Sequence, residues 1–257
     1  MPGYEMKGRV VIVTGSSRGI GRAAATLLAE RGARVVANGR DARALEETVA
    51  ILKKIGGDHH GVIADMADPA GPGTLVQQAL KKFGRVDVLV NNAGGEERAM
   101  GVEEVDQPSW DRIVDINLKG PFLCAQAVIA PMKKQGKGMI VNVSSQGGRA
   151  YSQFGNAPYA AAKAGMLGLT RQLAWELGPH GIGVNAVAPG HVLSSDWRAQ
   201  RWTDSTPAER QEYVKKVPIG RPGDVTEVAA AIAFLASDEA SYITGATLDV
   251  NGGRFMF

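Results

Sequence analysis

Cysteine is almost absent from this chain. A single residue, Cys124, in 257 excludes an intrachain disulfide framework and any thiolate metal site built on paired cysteines. Histidine is nearly as scarce. His59, His60, His180 and His191 form no cluster with carboxylates at metal-ligand spacing, so no metal is expected. No uninterrupted apolar run reaches the length of a membrane span. The first eight residues carry no apolar stretch beside basic ones, so no secretory signal is read there. Charge of one sign is also missing. The 29 basic and 26 acidic residues leave a formal charge of +3, and no block of five basic residues occurs. That balance argues against nucleic acid as a partner. Linkers, low-complexity segments and tandem repeats are absent too. What remains is a chain long enough to bury a large core without staples. It is expected to form one domain over residues 1–257 in a reducing, cytoplasmic setting.

What is present is a rhythm. Apolar, β-branched runs at 9–14, 33–38, 61–64, 86–91, 139–144, 183–188 and 247–250 read as strands. Helical stretches fall at 20–31, 41–55, 68–84, 109–135, 157–177 and 224–236, with Asp41 placed to cap the second. Continuous apolar strands suit a sheet buried on both faces. Strands alternating with helices predict an α/β fold, a doubly wound parallel Rossmann sheet of about seven strands with helices on both faces. The exception is 191–218, a long irregular insertion of the kind that forms lids and binding loops.

Between the first strand and the first helix stands TGSSRGIG, residues 14–21. Gly15, Gly19 and Gly21 let the backbone turn sharply and approach a pyrophosphate, and the helix start offers N–H groups and a positive dipole end. The second strand then decides between two dinucleotides. A carboxylate at its end would bind ribose hydroxyls and repel a 2′-phosphate. Gly39 occupies that position, followed by Arg40, and Arg18 lies in the glycine loop. Two guanidinium groups suit a 2′-phosphate, so NADP(H) is favoured over NAD(H). The competing reading takes Asp41, 20 residues after Gly21, as the ribose carboxylate rather than a helix cap. Asp65, after the third strand, is placed to reach the adenine edge or to serve as a turn aspartate.

A second motif, YAAAK at 159–163, puts Tyr159 and Lys163 on one helix face. A tyrosine is a poor base at neutral pH, and a neighbouring ammonium favours its phenolate, which makes the pair an acid/base for carbonyl chemistry. NNAG at 91–94 ends the fourth strand, Asn117 lies in the long helix, and Ser145 follows the fifth strand. The turns after strands one, four and five converge beyond the carboxyl ends of the sheet, where such folds bind ligands.

This ordered set resembles the short-chain dehydrogenase/reductase family, similar to 3-oxoacyl-[acyl-carrier-protein] reductases, over nearly the whole chain. Pro189-Gly190, Arg221-Pro-Gly and the C-terminal ITG and DVNGG segments also fit. The resemblance implies a hydride transferred between a nicotinamide and a carbonyl or secondary alcohol. It gives Tyr159 the proton transfer to the substrate oxygen and Ser145 a hydrogen bond to that oxygen. It gives Lys163 the nicotinamide ribose and a lowered tyrosine pKa, and Asn117 a water linking Lys163 to solvent. A helix-distorting role is the alternative for Asn117. The cofactor shell it implies comprises Gly15, Ser17, Arg18, Gly19, Ile20, Gly21, Arg40, Asp65, Met66, Asn92, Ala93, Gly94, Tyr159, Lys163, Pro189, Gly190, Val192 and Ser194. It further implies a homotetramer that pairs the helices near 109–135 and 157–177 and the last strand.

The chain departs from the family in places. Ser145 precedes Tyr159 by 14 positions, one more than in many relatives, which makes Ser144 a rival. Ser145 is preferred because SQGG fits the family's S-x-x-G turn. His191 stands where an apolar residue is more usual. Gln146, Tyr151, Phe154, His191, Trp197 and the loop 95–100 are the candidate substrate walls. The 191–218 segment carries Trp197, Trp202 and Tyr213 with Arg198, Arg201, Lys215 and Lys216. It suits an apolar lid whose basic residues meet solvent, an anionic substrate or an acidic carrier protein. The apolar end, Phe255 to Phe257, is expected at a subunit interface or a neighbour's active site. An NADPH-dependent ketoreductase leads the readings, ahead of an NAD-dependent alcohol or sugar dehydrogenase and a non-catalytic nucleotide-binding scaffold.

Overall fold

The computed structural model describes residues 5–95, 100–152, 155–194 and 196–257, without the side chains of 196–198 and 201. Seven short strands supply the frame: β1 (Val10–Val13), β2 (Arg34–Gly39), β3 (His60–Ile63), β4 (Val88–Asn91), β5 (Gly138–Val143), β6 (Ile182–Pro189) and β7 (Thr247–Val250). They pair in the order β3-β2-β1-β4-β5-β6-β7, every neighbour parallel. The chain winds outward from β1 to β3 and crosses back to lay β4 beside β1. The crevice at the carboxyl ends of β1 and β4 is therefore the topological switch point.

Each strand's alternation serves two cores. Val11, Val13, Val35 and Ala37 face one side, where Leu28 of α1 (Gly19–Glu30), Leu45 of α2 (Ala42–Ile55) and Ile232 of α9 (Val225–Leu235) cover them. Val10, Ile12, Val36 and Leu89 face the other, under Leu75 of α3 (Gly71–Phe83) and Val128 of α5 (Gly120–Gln135). The remaining helices are α4 (Gln107–Val114), α6 (Ala157–Leu177), α7 (Asp196–Asp204) and α8 (Pro207–Val214). Asp41 caps α2 by accepting from the Ala44 N–H at 3.0 Å.

Three stretches differ from the sequence reading. The helix expected at 109–135 is α4, a π turn at Asp115–Lys119, and α5. The Gly120 N–H reaches back five residues to the Asp115 carbonyl. Pro121 lacks the N–H that would return to the Asn117 carbonyl, which explains a break at this point. By length and hydropathy, Gln107–Gln135 does reach what a bilayer span needs. Cys124, Val128 and Met132 are nonetheless buried under the sheet, as in a core helix. The insertion at 191–218 is not irregular but carries α7 and α8. The missed signal is a capping box, Thr206 and Glu209, with Pro207 at the first helical position. Finally, Asp68 starts a turn rather than a helix, accepting from the Ala70 N–H at 3.0 Å, and α3 begins at Gly71.

Candidate active site

The glycine loop is tied to the sheet by side chains. Thr14 Oγ1 accepts from the N–H groups of Asn92 and Ala93, both at 2.9 Å. Asn92 Nδ2 donates to the carbonyls of Thr14 and Gly15 at 2.9 and 3.0 Å. Asn38 Oδ1 accepts from the Gly15 N–H at 3.2 Å, while its Nδ2 donates to the Val62 and Ala64 carbonyls. Gly15 and Gly19 hold φ values of +61° and +57°, which β-carbon-bearing residues rarely adopt. A Cβ on Gly15 would stand 2.8 Å from Ala93 Cα, and one on Gly21 would strike the Gly15 carbonyl. Helix α1 begins without a side-chain cap or an acidic residue in its first turn. Its N–H groups and dipole therefore face the crevice ready for an anion.

Around the ends of β2 and β3 stand the residues read as the adenosine end. Ser17 packs on Gly39, whose Cβ would lie 3.0 Å away. Arg18 and Arg40 are exposed, and Arg40 Nη1 lies 3.4 Å from Asp65 Oδ2. Asp65 Oδ1 accepts from the Ala67 N–H at 3.0 Å. The Asp41 carboxylate is engaged in capping α2. The Met66 side chain is buried in the core, 3.5 Å from Cys124 Sγ, so its backbone is the part offered to a ligand.

A cleft of about 280 Å³ runs from this loop past the ends of β4, β5 and β6. Gly15, Arg18, Gly19, Ile20, Gly21, Asn92, Gly94, Ser145, Gln146, Tyr159, Lys163, Pro189, Gly190, His191, Val192 and Ser194 all line it. Tyr159 and Lys163, four apart on α6, are both buried. Ser145 lines the cleft beside Tyr159 and accepts from the Gly147 N–H at 3.1 Å. Burial pushes the tyrosine pKa up, opposed by the neighbouring Ser145 hydroxyl. This differs from the expected lowering by Lys163. The ammonium donates to the Val143 carbonyl at 2.9 Å and stands 5.8 Å from the tyrosine ring centre. Desolvation outweighs so oblique a neighbour.

Asn117 sits in the π turn with its amide fully engaged. Oδ1 accepts from the Gly95 N–H at 2.9 Å, and Nδ2 donates to the Gly95 and Ile113 carbonyls at 3.0 and 2.9 Å. Any water there falls to its backbone carbonyl. Gly94 has φ +151°, and a Cβ on it would stand 2.5 Å from Asn117 Oδ1 and 3.3 Å from Lys163 Nζ.

Two predictions follow from these contacts. Ser144 Oγ is buried and donates to the Lys163 carbonyl at 2.8 Å. Ser144→Ala is therefore expected to lower stability by about 1–3 kcal/mol with chemistry retained, and Ser145→Ala to do the reverse. Urea unfolding and turnover of both variants separate them. Burial holds the Lys163 pKa down, from 10.5 to about 8. Between those values the unfolded chain keeps a proton that the folded chain has released. This group's contribution to stability thus rises with pH and is lost as pH falls through about 8. Lys163→Met is expected to be most stable relative to the wild type near neutral pH, with that advantage shrinking at alkaline pH. A difference independent of pH would contradict the buried cation.

On the substrate side the structure brings in Gln146, His191 and Gly95 of the expected loop, and adds Ser152, which the sequence reading missed. Only proximity to Tyr159 could have flagged Ser152. Tyr151 is not part of the wall. It is solvent-exposed and meets Phe255 edge-on at 5.6 Å. Phe154 and residues 96–99 lie outside the described residues, as does the Trp197 side chain. His191 packs edge-on against Tyr213 of α8 and Trp202 of α7, at 5.0 and 6.3 Å. The C-terminal residues, expected at an interface, contact their own chain. Arg149 lies 4.6 Å over the Phe257 ring, and Arg254 5.5 Å from that of Tyr213.

A glycine loop at the switch point and Ser145 with buried Tyr159 and Lys163 at one cleft define a nucleotide-dependent oxidoreductase site. The family model described as enoyl-(acyl carrier protein) reductase matches residues 15–254. The chain belongs to the short-chain dehydrogenase/reductase family, whose members use a nicotinamide cofactor and act on alcohol and ketone groups. It is 40% identical over 254 residues to the (2S)-[(R)-hydroxy(phenyl)methyl]succinyl-CoA dehydrogenase subunit BbsD of Thauera aromatica, covering 98% of both chains. It is 40% identical over 250 residues to the 3-oxoacyl-[acyl-carrier-protein] reductase FabG of Escherichia coli K12, covering 97% of this chain and 98% of that one. A solved structure from Beutenbergia cavernae, provisionally assigned as an NAD(P)-dependent gluconate 5-dehydrogenase with NADP bound at low occupancy, superimposes with a TM-score of 0.89. It is 37% identical over 98% of each chain.

Proposed function

We propose that this chain is an NADPH-dependent carbonyl reductase, converting a ketone to a secondary alcohol. The observation that carries this reading is buried Tyr159 and Lys163 beside Ser145, in a cleft continuous with the glycine loop. The bound nicotinamide supplies the hydride. Tyr159 gives its proton to the substrate oxygen. Ser145 steadies that oxygen as negative charge develops on it. Lys163 Nζ, anchored on Val143, would hold the nicotinamide ribose and return a proton to the tyrosine through a water at the Asn117 carbonyl. Gly15, Gly19 and Gly21 with the start of α1 hold the pyrophosphate. Ser17, Arg18 and Arg40 hold the 2′-phosphate, with Asp65 beside the adenine. Pro189, Gly190, Val192 and Ser194 hold the nicotinamide end, and α7 and α8 act as the lid.

The relation to FabG supports a 3-oxoacyl substrate, with Lys215 and Lys216 toward an acidic carrier. The family resemblance carries the further proposal of a cytoplasmic homotetramer of single-domain subunits. The test is NADPH consumption, followed by absorbance, against a panel of ketones that includes an acetoacetyl thioester. Turnover with NADPH and much weaker turnover with NADH is expected. No reaction with any ketone would overturn the reading.

A further inference from the structure

Helix α2 buries a stripe made of Leu45, Thr48 and Leu52. Thr48 interrupts it with a hydroxyl, fully buried where an apolar side chain would pack. That hydroxyl donates to the Ser16 carbonyl at 3.1 Å, shared with the Ala44 carbonyl at 3.2 Å, and accepts from Arg22 Nε at 2.9 Å. Arg22, on α1, spreads its guanidinium across the same join between the two helices. Its Nη2 donates to the Ser17 carbonyl and to the Ala44 carbonyl at 3.1 Å, and lies 3.3 Å from Glu47. Two consecutive carbonyls of the glycine loop are thus turned into the α1–α2 join. Every described peptide bond is trans, with its N–H opposite its carbonyl. The Ser17 and Arg18 N–H groups therefore point out of that join, and neither has an acceptor among the described residues.

We propose that Thr48 and Arg22 are positioning residues that set nucleotide specificity from behind the glycine loop, holding residues 16–18 so that Ser17 and Arg18 meet the 2′-phosphate. Thr48 is wholly enclosed and acts only through the loop. The rest of the loop is fixed independently. Gly15 is tied to Asn38 and to Asn92, and the Ser16 N–H goes to the Asn38 carbonyl at 2.8 Å. The part that faces the pyrophosphate therefore survives loss of the Thr48–Arg22 clamp, while the part that faces the adenosine ribose loosens. A nucleotide with a 2′-phosphate feels that loss far more than one without. The inference rests on the NADPH reading above.

The test is Kd for NADPH and for NADH, by fluorescence, in the wild type, Thr48→Val, Thr48→Ser, Arg22→Met and Arg22→Lys. Thr48→Val is expected to raise Kd for NADPH about tenfold and for NADH less than about threefold. Thr48→Ser keeps the hydroxyl and should stay within about twofold of the wild type for both. Arg22→Met should behave like Thr48→Val. Arg22→Lys should do the same, because an ammonium keeps the charge but cannot span Ser17, Ala44 and Thr48 at once. Urea unfolding accompanies each variant, and if Thr48→Val does not fold, the two Arg22 variants decide. Equal weakening of both nucleotides marks a merely structural role and overturns the inference, as does full NADPH affinity in Thr48→Val. Recovery in Arg22→Lys shows simple charge attraction and overturns it too. Those results leave the NADPH reading intact. A wild type that binds NADPH no more tightly than NADH defeats that reading, and the inference with it.

Discussion

Tyr159→Phe is expected to lower kcat by about 10²- to 10⁴-fold, the usual contribution of a positioned general acid, while Kd for NADPH stays within about twofold. The phenolic hydroxyl is a proton donor in the same cleft as Ser145. The adjacent candidates cannot substitute for it. Ser144 is committed to the Lys163 carbonyl, and the Lys163 ammonium to Val143. The ring itself is buried on α6, so phenylalanine fills the same space and the loss reports the hydroxyl alone. Single-turnover kinetics with saturating NADPH separate this loss from a binding defect. Retained turnover would remove Tyr159 from the chemistry.

Arg40→Ala is expected to weaken NADPH by about 10- to 100-fold and NADH by less than about twofold. The magnitude follows from charge-assisted hydrogen bonds worth about 1.5–3 kcal/mol. Asp65 competes for the same guanidinium, but at 3.4 Å and with both side chains well exposed the pair is worth about 0–1 kcal/mol. A dianionic 2′-phosphate reached also by Arg18 therefore prevails over one carboxylate. The difference between the two nucleotides should shrink at high salt, because exposed charges are screened. Equal losses for both nucleotides would take Arg40 out of phosphate recognition.

The frame was legible because its signals are local. Val10–Val13 reads as a buried strand from four β-branched or apolar residues in a row, and Tyr159 and Lys163 share a face because a helix repeats every 3.6 residues. Asp41, just before the second helix, caps α2 as its position suggests. What escaped the sequence depends on long-range contacts. Nothing near Asn38 announces that its amide ties Gly15 to β3, nor that Thr14 holds the backbone of Asn92 and Ala93. The π turn at Asn117 was readable in principle from Pro121, four residues on. The helices α7 and α8 were hidden by their polarity, and capping rather than an apolar stripe marks α8. Tyr151, expected in the substrate wall, instead meets Phe255 edge-on, a contact that no pattern along the chain encodes.

The central claim is that arginines, rather than a carboxylate, meet the adenosine ribose, and it stands or falls on nucleotide preference. The most direct measurement is Kd for NADPH and for NADH on the wild-type protein, side by side, by fluorescence at one ionic strength. NADPH bound at least about tenfold more tightly is the expected result. NADH bound as tightly or more tightly would contradict it and return Asp41 or Asp65 to the ribose.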